Sequence, residues 1–360
     1  MRIRVGCEFR YQTQMPVPML MLVRARPDAE HEIRYESQWT EPSLAVRGYG
    51  DSFGNPCWRF QLPAGDSAIR YDAVVEVSGD PDLVVSDAPL APVDDLPDDT
   101  LVFTLPSRYI ESDLLLDDAW RLFGDTPPTW ARVQAVCDWV HANIQYGYGL
   151  SGPSTTALDV YKSRQGVCRD FAQLSVALCR ALNIPARYTF GYLPDIAVEP
   201  PDVPMDFHAW FEAYLGGRWY TFDARHNVPR IGRVKIAHGR DAVDVALSTS
   251  YGAANLVSMV VWADEIPDQP EEGFADAGNS IPGSATLAPQ TAPSVVLEDE
   301  DTVASSLPRL DEGMGSGACA AVAGDTLLVS AGVSTGDGPV DDDDDRYGTE
   351  AGALPAPARG

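Results

Sequence analysis

The 360-residue sequence is poor in basic residues and has no long apolar run. It carries 26 Lys and Arg against 53 Asp and Glu, a formal charge of −27. A surface of that sign repels nucleic-acid phosphates. No stretch approaches the ~18 consecutive apolar residues of a membrane span, and residues 1–12 lack the apolar centre of a secretory signal. We therefore expect a cytoplasmic protein with neither nucleic-acid nor membrane partners.

Paired cysteines are also missing. The six cysteines are scattered and include no CxxC pair, which argues against a disulfide framework and against a zinc finger. Cys137 and His141 have a spacing that can hold a metal, but no third ligand is in view. The aspartate run 341–345 is at most a weak calcium chelator. We expect no metal and no cofactor, and we treat each cysteine first as a small buried hydrophobe.

Aromatic residues are nearly absent from residues 264–360, where the charge is concentrated. This segment holds 20 acidic and 3 basic residues and only two aromatics, Phe274 and Tyr347. Such a composition cannot bury enough apolar surface to offset chain entropy. It predicts a disordered acidic tail, which is either a solvated extension or an interaction element.

The rest of the chain divides by pattern into an α+β protein. Residues 1–85 contain short alternating runs and turn signals, which predict an N-terminal β-sandwich-like domain. Residues 86–107 are rich in Pro and Asp and predict a linker. Residues 108–263 combine helical and strand patterns and form the predicted catalytic domain.

Within residues 108–263 the periodicity predicts three helices and several strands. The first helix opens at Thr126, a plausible N-cap; the others span about 156–163 and 167–182, the last stopped by Asn183 and Pro185. The predicted strands cover 187–192, 208–215, 218–224, 243–247 and 256–262.

Cys168 stands at the predicted start of the helix over 167–182. A thiol reacts as thiolate, and the partial positive charge at a helix N-terminus stabilises that form. Gly166 allows a sharp entry into the helix, and the free backbone N–H groups can donate to a developing oxyanion. Cys168 is therefore the candidate nucleophile.

A predicted hairpin supplies the base. Gly216-Gly217 is a strong two-residue turn signal, so Leu215 pairs with Arg218 and Trp210 faces Asp223. Because side chains alternate along a strand, His208, Trp210 and Asp223 point to one face. His208 and Asp223 become diagonal neighbours, close enough for the carboxylate to reach the imidazole and fix its orientation.

Other residues near these positions have candidate roles in substrate binding. Asp170, in the first turn after Cys168, either complements the helix dipole or orients a substrate amine. Gln165 can lend an amide to an oxyanion hole, and Trp210 can form a pocket wall. Arg169 reads as an exposed first-turn residue, and His226 is a weaker rival base because it lies past the strand end.

Three segments of the sequence resemble the transglutaminase-like superfamily of papain-type cysteine enzymes: residues 166–172 (GVCRDFA), 208–212 (HAWFE) and 219–223 (WYTFD). The resemblance covers about residues 1–263. It implies a papain/transglutaminase-like core with Cys168 as nucleophile, His208 as base and Asp223 as the third member of a triad.

This resemblance does not fix the reaction, because the family includes amide crosslinkers, peptidases and inactive relatives. We expect acyl transfer from an amide through a thioester, with water or an amine resolving it. A peptide or another amide-bearing molecule would be the substrate, and hydrolysis is favoured over amine transfer. The alternative is a non-catalytic protein-binding module on the same fold. The triad requires the Cys168 sulfur and the His208 ring to meet in the folded chain.

Overall fold

Residues 1–77 are built from six strands. The structure, a computed structural model, describes residues 1–27, 31–201 and 203–267, and the backbone of 319–323 and 326–330. The six strands are β1 (Arg2–Thr13), β2 (Val17–Met21), β3 (His31–Glu41), β4 (Arg47–Gly50), β5 (Pro56–Leu62) and β6 (Gly65–Val77).

The segment after β6 is not an isolated linker. It contains 3₁₀ turns at Val93–Asp95, Asp98–Thr104 and Ser112–Leu115. Within the predicted linker 86–107, Pro89 forms a β-bridge with Thr129, and the Leu105 carbonyl accepts a hydrogen bond from the Arg180 guanidinium. The chain is therefore fastened along the domain that follows, where the sequence predicts an extended connection.

Four helices precede the second half of the chain. They are α1 (Leu116–Phe123), α2 (Trp130–Asn143), α3 (Ala157–Ser163) and α4 (Cys168–Ala181). Between them lie two short parallel strands, β7 (Gln145–Tyr146) and β8 (Gln165–Gly166). The Thr156 side chain caps α3. Thr129, not Thr126, caps α2, because the two prolines at 127 and 128 precede the helix.

A four-stranded antiparallel sheet lies beside α4. Its strands are β9 (Ala186–Tyr192), β10 (His208–Leu215), β11 (Arg218–Phe222) and β12 (Val234–Gly239), in the order β11-β10-β9-β12. The register of β10 and β11 confirms the predicted hairpin: Leu215 pairs with Arg218 and Phe211 with Phe222. Both loop glycines have positive φ, as a turn of the I′ type requires.

One face of this sheet is apolar and the other is polar. Phe211, Ala213 and Leu215 alternate along β10 and lie in one buried cluster with residues of α4 such as Leu174 and Leu178. His208, Trp210 and Glu212 alternate to the opposite face. The chemistry-bearing side chains of β10 are thus separated from the hydrophobic packing that fixes the strand.

The last strands return to the N-terminal sheets. Strand β13 (Ser248–Ser250) pairs with β2, and β14 (Asn255–Ile266) pairs with β1 along nearly its whole length. The sheets have the orders β14-β1-β6-β3 and β15-β16-β13-β2-β5-β4, where β15 is Cys319–Ala323 and β16 is Thr326–Ser330. Apolar residues of β1, β2, β5 and β6 share one buried cluster, as the facing sides of a sandwich do.

This return differs from the predicted organisation in two ways. Residues 256–262 belong to a strand of the N-terminal sheet, and residues 243–247 form turns instead of a strand. The β14 strand also extends to Ile266, past the predicted start of the tail. Apart from β15, β16 and the end of β14, the predicted disordered tail lies outside the described residues.

The N-terminal sheets and the β9–β12 sheet also share a buried cluster. The buried cluster of the N-terminal sheets continues into β9 and β12 through Tyr188, Phe190, Tyr192 and Val234. None of the four α-helices in the described part of the chain has both the length and the apolar character needed to cross a lipid bilayer.

Candidate active site

Cys168 is the first residue of α4 and is 2% exposed. The helix begins there because Asp170 Oδ2 accepts a hydrogen bond from the Val167 N–H at 2.8 Å. Gly166 is required by space: a Cβ there would lie 2.7 Å from Asp170 Cβ. The sulfur therefore stands at the positive end of a 14-residue helix whose first turn is fixed by packing.

Asp170 and Arg169 form a buried ion pair beneath this turn. Arg169 is 2% exposed, and its guanidinium donates to Asp170 Oδ1 at 2.9 Å and to the Gly152 carbonyl at 3.0 Å. The expectation of an exposed Arg169 is therefore wrong. Asp170 is fully buried with both oxygens engaged, so it has no free surface for a substrate amine and serves the start of the helix.

His208 and Asp223 are hydrogen-bonded, as the hairpin register requires. His208 Nε2 lies 2.8 Å from Asp223 Oδ2, and the two side chains are 12% and 3% exposed. Because a carboxylate only accepts, Nε2 carries the proton. In the neutral ring Nδ1 is then the unprotonated nitrogen, which is the atom that can take a proton from a thiol.

Asp223 remains ionised inside the protein. Burial alone would raise the pKa of Asp223, but the neighbouring charges of His208 and Arg233 hold it well below its ordinary value. Its second oxygen accepts backbone hydrogen bonds from Arg225 and His226 at 3.1 and 3.2 Å. The carboxylate is thus fixed in position and in charge.

Arg233 is a site residue that the sequence reasoning missed. Its guanidinium donates to Asp223 Oδ2 at 2.8 Å, and its Nε lies 2.9–3.0 Å from both oxygens of Asp82. The pairing joins the residue before β12 to the segment that follows β6, at the end of the predicted N-terminal domain. The partners are separated by up to 151 positions in the sequence, so no local pattern points to them.

His226 lies beside the pair. Its ring centroid is 4.8 Å from that of His208. Burial lowers the pKa of His226 to about 3, chiefly by disfavouring the charged ring. It is neutral at physiological pH and adds no positive charge to the site.

Trp210 and Gln165 occupy different settings. Trp210 is 1% exposed and stacks on His208 with 6.4 Å between ring centroids. A Cβ at Gly191 would lie 2.9 Å from the Trp210 ring, so the indole lies over that glycine and braces the histidine. Gln165 is half-buried in β8, two residues before the α4 entry.

A chain of contacts joins the α4 entry to the Asp223 loop. Tyr146 of β7 pairs with Gly166, two residues before Cys168. The Arg225 guanidinium, two residues after Asp223, stacks over the Tyr146 ring at 3.6 Å from its centroid. Cys168 also shares its buried cluster with Phe207 and Ala209, the sequence neighbours of His208.

Three of these residues also form a set of metal-ligand type. His208, Asp223 and His226 each offer one ligand atom, and these atoms lie within 4.8 Å of one another. Two imidazoles and a carboxylate suit Zn²⁺. However, Arg233 already donates to the carboxylate oxygen that His208 contacts, and a guanidinium at that position repels a cation.

The other described cysteines are packed in the interior. Burial raises the pKa of Cys7 to about 12 and that of Cys57 to about 11. It also raises the pKa values of Cys137 and Cys179 above the ordinary range. These four thiols stay protonated at neutral pH.

Comparison with known proteins identifies the family to which this fold belongs. The model of the transglutaminase-like superfamily matches residues 121–224, which include α2 to α4 and the hairpin. A solved structure of a proposed cysteine protease from Cytophaga hutchinsonii is 35% identical, with a TM-score of 0.68. The alignment covers 75% of this chain and 93% of that one. The chain belongs to the transglutaminase-like superfamily.

Mycobacterial proteins are also similar. An uncharacterized protein of Mycobacterium leprae is 35% identical over 135 residues, covering 36% of this chain and 48% of that protein. The match therefore spans about half of the M. leprae protein. An uncharacterized protein of Mycobacterium tuberculosis is 29% identical over 228 residues, covering 57% of this chain and 72% of that protein.

Proposed function

We propose that the protein catalyses cysteine-dependent acyl transfer from an amide, with Cys168 as nucleophile, His208 as acid and base, and Asp223 as the orienting group. The observation that carries this proposal is the hydrogen bond from His208 Nε2 to a buried, ionised Asp223. It leaves the opposite ring nitrogen to exchange a proton with a thiol.

The position of α4 supports an approach of the sulfur to this ring. The helix packs against β10 and β9, and its first turn shares a buried cluster with the neighbours of His208. The stack of Arg225 on Tyr146 draws the Asp223 loop toward the α4 entry. In the proposal, Cys168 reaches His208 Nδ1 across the end of β10.

The proposed reaction has two halves. Thiolate attack on the amide carbonyl forms a C–S bond, and backbone N–H groups at the α4 N-terminus donate hydrogen bonds to the oxyanion that results. The C–N bond then breaks as the His208 ring gives its proton to the departing amine. Water next attacks the thioester, His208 takes a proton from it, and the carboxylic acid leaves as the thiol is restored.

Hydrolysis is favoured over amine transfer. Water is abundant, whereas an amine acceptor needs a binding site of its own, and the fully buried Asp170 does not offer one. The similarity to a proposed cysteine protease of C. hutchinsonii supports peptides as substrates.

Selective alkylation tests the nucleophile. Intact protein is treated with iodoacetamide at pH 6 to 8, and the modified cysteines are identified by peptide mass. Cys168 should react far faster than the buried Cys7, Cys57, Cys137 and Cys179. A Cys319→Ser variant removes the sixth thiol from the comparison, and a Cys168→Ala variant should lose the fast phase. Uniform slow labelling of all cysteines would favour the non-catalytic binding module.

A bifunctional alkylating agent tests the pairing. 1,3-Dibromopropan-2-one should alkylate Cys168 and then bridge it to His208, giving one crosslinked peptide pair. The His208→Gln variant should retain only single attachment. A panel of fluorogenic peptide amides, with and without added primary amine, then distinguishes a free acid product from an amine-transfer product. A bridge to another residue would contradict the assignment of His208.

A further inference from the structure

Arg47 and Arg59, on strands β4 and β5, form no ion pair with an acidic residue of the described ranges. Arg4, Arg10, Arg24, Arg34 and Arg70 each form an ion pair with an Asp or Glu. Arg47 and Arg59, by contrast, make no ion pair with any residue that the structure describes, although the protein has 53 acidic residues. They lie directly opposite each other on β4 and β5, where like charges repel. A negatively charged group bound between the two guanidinium groups would relieve this repulsion.

These arginines line a groove on the outer face of their sheet. The groove has a volume of about 590 Å³, and its walls also include Pro18, Leu20, Tyr49 and Tyr251. Within the described part of the chain no acidic side chain lines it. Leu20, Arg59 and Arg47 form one row across β2, β5 and β4. Such a surface, basic at one side and aromatic along its wall, suits an extended acidic peptide.

Strand β16 ends near this groove, and an acidic segment follows it in the sequence. Strand β16 ends at Ser330, which pairs with Ser250, and Ser250 pairs with Met19 at the groove. The row of strands from β16 to β4 spans four spacings, or about 19 Å. The run Asp341–Asp345 begins eleven residues after Ser330, and an extended chain of that length reaches about 36 Å.

We propose that the groove lined by Arg47, Arg59, Tyr49 and Tyr251 binds the aspartate run 341–345 of the same chain. Charge complementarity and the exit of the chain beside the groove carry this inference, which is independent of the reaction at Cys168. Arg47 and Arg59 then gain carboxylate partners, as Arg4, Arg24 and Arg34 already have.

Photocrosslinking in the full chain tests the proposal. The crosslinking amino acid p-benzoylphenylalanine replaces Tyr49, and in a matched control it replaces Trp39, which is exposed on the other sheet. Trypsin releases the acidic run in one peptide, residues 310–346, because Arg309 and Arg346 are its nearest cleavage sites. Irradiated monomer should link position 49, and not position 39, to that peptide.

Charge variants give the second readout. Replacing all five aspartates 341–345 with Asn, or combining Arg47→Glu with Arg59→Glu, should lower the crosslink yield by at least about threefold, as should 0.5 M salt. Replacing the five aspartates with Lys in the Arg47→Glu, Arg59→Glu background should restore it, read here with a protease that cleaves after Glu312 and Glu350 because trypsin would cut at the new lysines. Absence of the link, a link to another peptide, or a link found only in covalent dimers would overturn binding within one chain.

Discussion

Two buried carboxylates on the polar face of the same sheet have different partners. Glu212 is 4% exposed and lies 2.5 Å from both Arg187 Nε and Lys235 Nζ. Burial would raise the pKa of Glu212, but the charges of Lys235 and Arg187 hold it well below its ordinary value. Asp223 is held ionised in the same way, by His208 and Arg233. In each site a carboxylate lies between two nitrogen-bearing side chains.

The difference lies in the kind of side chain that holds each carboxylate. Glu212 is held by a guanidinium and an amine side chain, so its cluster is an ion-pair network within the fold. Its neighbour His238, 3.2 Å from Arg187, has a pKa lowered to about 3, chiefly by burial, and stays neutral. At Asp223 one partner is an imidazole at the end of a strand. A similar arrangement of charge therefore supports the fold at Glu212, whereas in the proposed mechanism it orients the His208 ring for proton transfer.

The largest expected effect separates the two carboxylates by activity. Asp223→Asn should lower kcat about 10³- to 10⁴-fold, because an amide can stabilise the wrong tautomer of His208. Glu212→Gln should change kcat by less than about tenfold. Both are measured as initial rates on the best peptide amide of the panel. Equal losses of kcat in two folded variants would contradict the distinction.

The next effect separates them by stability. Glu212→Gln leaves Arg187 and Lys235 without a compensating charge in a largely buried setting, so the free energy of unfolding should fall by about 3–5 kcal/mol. Urea denaturation at pH 7 measures the change. Glu76→Gln, at an exposed ion pair with Arg34, is the matched control and should be nearly unchanged. A stable Glu212→Gln protein would show that the cluster is dispensable.

A change at Asp82 is a smaller test of the Asp223 site. Asp82 holds Arg233 by two contacts, so Asp82→Asn should weaken the contact of Arg233 with Asp223. We expect kcat to fall about tenfold, which raises the activation free energy by about 1.4 kcal/mol. The pH profile of kcat should shift as well, since the charge around His208 changes. Asp80→Asn removes the same charge from an exposed neighbour and should do neither. An unshifted profile for Asp82→Asn would limit Asp82 to a structural role.

The smallest effect concerns acid. Below pH 6.5 an unfolded histidine takes up a proton that buried His238 and His226 accept only near pH 3. The unfolded state then binds more protons, so stability falls as the pH drops between these values. His238→Gln should reduce that slope by up to about 1.4 kcal/mol per pH unit. Urea denaturation at pH 7, 5.5 and 4.5 measures it, and an unchanged slope would place the titration elsewhere.

Local patterns predict the parts of this molecule that depend on local geometry. The glycine pair 216–217 fixes the turn, the turn fixes the register, and the register brings His208 within reach of Asp223. The residues around Gly166 likewise predict the start of α4. Nothing beyond backbone alternation and turn chemistry is needed for these predictions.

Contacts between distant segments are not visible in such patterns. Arg233 and Asp82 meet only after β12 and the segment following β6 pack together. Arg169 looks like an ordinary exposed helix residue, yet the loop at Gly152 covers it. The pairing of residues 255–266 with β1 depends on the whole intervening chain, so the alternation there predicts a strand but not its partner.

The pairing of β1 with β14 has a consequence for synthesis. Strand β1 is central in its sheet, but one of its two neighbours is encoded some 250 positions later. Until translation passes Ile266, β1 presents an open hydrogen-bonding edge of twelve residues, a hazard for unwanted association. The nascent polypeptide must therefore keep that edge protected while the intervening domain is being made.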